Sequence, residues 1–88
     1  MEEYTASVIR MLDEELGLLE GRVKGFVIAQ KAAAIAMEEL EGKGLDNSDE
    51  WRRAYMAVAT NGTLASRAII DSYVCKMRLS KIRSWSSS

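Results

Sequence analysis

Three basic side chains, Arg22, Lys24 and Arg67, accompany Gln30, Asn61 and Thr63 in the central stretches of an 88-residue chain. A guanidinium grips phosphate or carboxylate through a fixed fork of N–H donors, and an ammonium does so as a point charge. The amides of Gln30 and Asn61 suit the edge of a planar ring, while Trp51 and Tyr55 offer aromatic faces. These eight residues, Thr63 included, make a candidate site for a small anionic, nucleotide-like ligand held between helices. No residue stands out as catalytic. The chain has no histidine and a single cysteine, Cys75, so zinc centres, His-dependent di-iron centres and Ser-His triads lack an essential group. No metal or other cofactor is expected. A lone cysteine forms no internal disulfide, and with no secretory signal pattern at the N-terminus the expectation is a reducing cytoplasm.

The elements that hold these residues are two long helices. Thr5, Ile9, Leu12, Leu16, Leu19, Val23, Phe26, Gln30, Ala33, Met37 and Leu40 alternate four and three apart, and nine of the eleven are apolar. That is a sustained heptad stripe, predicting a helix over about 3–43. Gly44 suits the left-handed position just past its end, with Leu45 then touching Leu40. After a loop over about 44–47, Asn47 or Ser48 caps a second helix over about 48–83, and Asp49 and Glu50 occupy its first turn. Were Asn47 the cap, Glu50 would complete a capping box. The second stripe reads Trp51, Ala54, Val58, Asn61, Ala65, Ala68, Ser72, Cys75, Leu79, Ile82. Asn61-Gly62 is a turn signal inside it, although an isolated glycine is compatible with a continuous helix. Residues 84–88 read as a frayed tail. There is no proline to interrupt either helix.

The fold class is therefore all-α: an antiparallel hairpin forming one domain over 1–88. Its facing residues have numbers that sum to about 90. Gln30 then lies level with Asn61, so the two amides can equally form an internal hydrogen-bonded pair that fixes register. Charge supports the same pairing. Residues 1–50 carry twelve acids and five bases, and residues 51–88 seven bases and one acid. Asp13, Glu14 and Glu15 fall opposite Lys76 and Arg78. The basic cluster with Trp85 could touch nucleic acid, but a net charge of −1 argues against such a partner. The longest apolar run, Phe26 to Met37, is interrupted by Gln30 and Lys31 and is too short to span a bilayer.

Gly17, Gly21 and Gly25 recur every fourth residue, and Ala29 and Ala33 continue the row. Each glycine inside a helix costs about 1 kcal/mol against alanine. A row of them implies the close approach of another backbone. Rows of this spacing drift about 40° per step around a straight helix, so this one cannot follow the hairpin seam throughout. It is the candidate interface between hairpins, in a homodimeric four-helix bundle or a higher even-numbered assembly.

The expected function is that of a non-enzymatic, homo-oligomeric module that binds a protein partner. Sequestration of a small anion is the alternative. One enzymatic resemblance completes the reading. Leu12-Asp13-Glu14-Glu15-Leu16 and then Leu18-Leu19 through Arg22 resembles the first helix of the all-helical chorismate mutases. Asp49-x-x-Arg52 and Ile69-Ile70-Asp71-Ser72 are similar to parts of their second and third helices. The resemblance implies an intertwined helical dimer that binds a dicarboxylate with Arg and Lys. The chain departs from that pattern in carrying Arg53 where a glutamate is expected and Lys76 where a glutamine is usual. It also has no arginine far enough upstream in the first helix, and the stretch from Asp49 to Ser72 is short.

Overall fold

Heptad stripes on two helices need a turn that lets them face each other, and the chain builds that turn from backbone hydrogen bonds. The computed structural model describes residues 2–86 as α1 (Glu2–Gly42) and α2 (Asp49–Ser86), packed antiparallel along their length. At the end of α1 the Leu45 amide donates to the Leu40 carbonyl at 2.8 Å, and the Gly44 amide to Glu41 at 3.0 Å. This is a Schellman ending, and it needs the left-handed residue that Gly44 supplies at φ 72°. The cap of α2 is Ser48: its Oγ accepts from the Trp51 amide at 3.2 Å and donates to the Leu45 carbonyl at 2.7 Å. Glu50 thus occupies the second position of the helix, and no capping box with Asn47 forms.

Helix α2 continues through Asn61 and Gly62 without a break. Asn61 Nδ2 donates to the Ala57 carbonyl at 2.8 Å and Thr63 Oγ1 to Ala59 at 3.0 Å, both one turn back. These side chains bond to the helix they belong to instead of starting a new one. In place of a frayed tail from residue 84, α2 runs on to Ser86, with Ser84 Oγ donating to the Lys81 carbonyl at 2.6 Å. The rest of that tail, 87 and 88, lies outside the described residues.

Every position of both heptad stripes is at least half-buried, while the positions between them are largely exposed. The result is a rod of 64 × 15 × 14 Å. Its best-packed part lies toward the chain ends, where Leu19, Cys75 and Leu79 are buried together against Ile9, Leu12 and Leu16. Ala65, Ala68 and Ser72 extend that buried line along α2. The Cys75 thiol donates to the Leu12 carbonyl at 3.2 Å across the seam.

Opposite charges flank the seam about six residues, between one and two turns, from the expected register. Arg83 Nη2 lies 3.1 and 3.2 Å from the two carboxylate oxygens of Asp13, and Lys76 Nζ lies 3.8 Å from Glu20. Helical side chains lean toward their own N-terminus. The long bases of α2 and the acids of α1 therefore lean toward each other, and the pairs join residues whose Cα levels differ by about six positions. All four groups are about half exposed, so the pairs steer alignment more than they stabilise it.

Candidate functional site

Gln30 and Asn61 come level, as the register requires, but they do not bond to each other. Gln30 Nε2 donates across the seam to the Val58 carbonyl at 3.3 Å, and Asn61 is engaged with Ala57 of its own helix. The expected amide pair is replaced by two amide-to-backbone bonds. The reason lies at Gly62, where a β-carbon would stand 2.7 Å from Gln30 Nε2. The missing side chain opens the α2 backbone to the Gln30 amide, and the Val58 carbonyl is the nearest acceptor one turn away. Gly62 is thus the glycine of close approach within the hairpin.

The remaining ligand candidates are distributed along both helices. Trp51 and Tyr55 stack on each other with ring centroids 5.6 Å apart, and Trp51 Nε1 donates to Glu41 at 3.1 Å. One face of each ring is thus taken by the other, while Tyr55 remains 53% exposed. Arg67 is sixteen residues beyond Trp51 on the same helix, about 24 Å along the axis. Arg22 and Lys24, two residues apart, point roughly 200° from one another around α1. Thr63 is exposed and bonded to Ala59. Trp51 thus lies well away from Arg67 along the rod, and Arg22 and Lys24 leave α1 in different directions.

A groove of about 330 Å³ does open on one flank, lined by Glu15, Leu19, Arg22, Asp71, Val74, Cys75 and Arg78. Only Arg22 of the candidate set reaches it. Glu15 and Arg22 are seven residues apart on α1, as are Asp71 and Arg78 on α2. Antiparallel packing sets each acid across from a base. The seven-residue spacing of opposite charges is the sequence signal for this flank. Two guanidinium and two carboxylate groups leave it with no net charge, and Cys75 forms its floor. Burial pushes the Cys75 thiol above its ordinary value, Glu15 adds to the shift, Arg78 opposes it and Asp13 adds a little. A thiol so held is protonated near neutral pH and is not an activated nucleophile.

The residues of the chorismate mutase resemblance are similarly dispersed. Asp49 and Arg52 pair with each other at 3.7 Å at the start of α2. Ser72 lies twenty residues farther on, about 30 Å away, buried and donating to the Ile69 carbonyl at 2.8 Å. Among the described residues no group of three or more Cys, Asp or Glu side chains is placed to hold a metal ion. No helix among them is long and apolar enough to cross a membrane.

The glycine row faces outward. Gly17, Gly21 and Gly25 are exposed, and a β-carbon at any of them would meet nothing within 4 Å. The hairpin itself gives no reason for them. Ala29 is exposed, whereas Ala33 is half-buried in the α1–α2 seam, so the row leaves the outer surface at its last member. Large apolar side chains accompany the glycines on the outside of α1, including Leu18 and Ile28, and α2 exposes Ile69, Ile70, Tyr73 and Met77. The chain significantly matches no protein-family model, no curated protein and no solved structure.

Proposed function

We propose that the protein is a non-enzymatic, homo-oligomeric helical module that acts through protein–protein interaction. The observation that carries this reading is the apolar surface the hairpin leaves uncovered. Ile69, Ile70, Tyr73 and Met77 lie at helical spacings of one, three and four residues and form one patch on α2, each more than half exposed. A second apolar face runs along α1. Contiguous apolar surface of this kind marks interaction sites on proteins that fold on their own. A two-helix rod also has too thin an interior to bury it by any internal rearrangement.

Native mass spectrometry of the purified protein, with sedimentation across a concentration series, tests the reading. Association is the expected result, and a monomer at high micromolar concentration would overturn it. The double substitution Ile70→Lys, Tyr73→Lys should leave helicity intact and remove association or partner capture that depends on α2. A co-purifying small anion would replace this reading with sequestration, and turnover of chorismate would overturn the non-enzymatic assignment.

A further inference from the structure

The outer side of α1 carries a second heptad stripe that the hairpin does not use. Tyr4, Ser7, Met11, Glu14, Leu18, Gly21, Gly25, Ile28, Ala32, Ile35 and Glu39 alternate three and four apart, and eight of the eleven are apolar, counting glycine. All are exposed, Leu18 to 66% and Ile28 to 67%. The stripe shares the 3.5-residue period of the buried seam, so it keeps a fixed angle of roughly 160° from that seam along the whole helix. Its large aliphatic residues and its glycines are also placed symmetrically about residue 23, whereas Glu14 mirrors Ala32 and Ser7 mirrors Glu39. Leu18 mirrors Ile28, Met11 mirrors Ile35, and Gly21 mirrors Gly25.

We infer that this face of α1 is a homodimer interface, in which two copies pack antiparallel about a two-fold axis beside Gly21 and Gly25. The inference rests on the self-association proposed above and adds its surface, direction and register. A two-fold interface must be self-complementary, and the mirror pattern supplies that: large residues meet large ones at either side of a glycine crossing. The two glycines, four apart, let the backbones close in at the axis.

Charge favours the antiparallel direction. Residues 2–20 carry six acids and one base, whereas 21–42 carry three of each. A parallel pair would set the acidic halves side by side, and the antiparallel pair sets each against a neutral half. In this register Arg10 meets Glu38 of the second copy, and Glu14 meets Lys31. Arg22 and Lys24 approach their own counterparts near the axis, two unfavourable juxtapositions, with Glu15 and Asp71 lining the same groove as Arg22. From Tyr4 to Ile35 the strip is about 47 Å long and roughly 10 Å wide. Two copies would bury about 1,000 Å², the lower end for a specific interface.

Disulfide trapping tests the register. Leu18→Cys and Ile28→Cys proteins are refolded together and oxidised mildly; Cys75 remains, since it is 3% exposed. The expected product is a disulfide between the two different variants, with little from either alone. Self-linked Leu18→Cys would overturn the antiparallel direction. An oligomer that sediments normally yet gives no mixed disulfide would overturn the surface while leaving self-association standing. A monomer at all concentrations would overturn both. Gly25→Leu provides an independent reading. The hairpin has open space at Gly25, so helicity should be retained while the dimer weakens about tenfold or more, as overpacking a close contact requires. An unchanged dimer would contradict the crossing at the glycines.

Discussion

The side-chain nitrogen of Gln30 on α1 occupies the space that a β-carbon on Gly62 of α2 would fill, 2.7 Å from its ideal position. One residue lends a donor to the facing backbone, and the other makes that backbone reachable.

The pair should therefore be energetically coupled. Gly62→Ala gains about 1 kcal/mol of helix propensity but displaces the Gln30 amide, losing a hydrogen bond worth about 1 kcal/mol. The single substitution should be close to neutral. In a Gln30→Ala background the same change should stabilise by about 1 kcal/mol. A double-mutant cycle from urea unfolding reads the difference directly, and zero coupling would rule the arrangement out.

Gly17 answers differently. It is exposed with open space around its α-carbon and lies beside the outer stripe of α1, not on it. Gly17→Ala should raise stability by about 1 kcal/mol by the same amount at every protein concentration. Thermal melts across a dilution series check this.

Burial separates two leucines. Leu79 is 2% exposed within the Leu19–Cys75 cluster, whereas Leu18 stands in solvent. At concentrations where the chain is a monomer, Leu79→Ala should cost about 2–4 kcal/mol. Leu18→Ala should cost less than about 0.5 kcal/mol. Equal losses would mean that the hairpin core is placed wrongly.

The raised Cys75 thiol makes stability depend on alkaline pH. The folded state holds this proton more tightly than the unfolded chain. The contribution is therefore complete below the ordinary value of 9.0 and is lost as pH rises through the folded pKa. Between roughly pH 8 and pH 10, the wild-type urea midpoint should fall more than that of Cys75→Ala. Native Cys75 should also resist alkylation until the protein unfolds.

Features set by neighbours in the chain are legible in the sequence. The Leu40–Gly44–Leu45 ending follows from residues five apart, and both stripes of the hairpin seam follow from periodicity alone. Features that depend on which of several partners a side chain takes are not. Gln30 and Asn61 come level as expected, yet each finds a backbone carbonyl a better acceptor than the other amide. The regular row of Gly17, Gly21 and Gly25 is the conspicuous place for close approach, while inside the hairpin the solitary Gly62 fills that role. Arg83 and Lys76 reach acids about six positions from the expected level, since side-chain lean is not visible in a count of residues. Among the eight ligand candidates, Trp51 and Tyr55 lie about three to four turns from Arg67, since periodicity fixes direction around a helix better than distance along it.

The uneven burial along the rod bears on how the chain folds. No described residue between Glu20 and Leu64 is fully buried, so the half nearest the turn contributes the weaker contacts. The tight cluster joins positions as far apart in sequence as Leu12 and Cys75, separated by 63 residues. Zipping outward from the Gly44 turn thus gains little until the distant ends have met, and the entropy of closing that long loop falls before the transition state. This hairpin should fold more slowly than its helical content alone would indicate, with a contact order set by its far end.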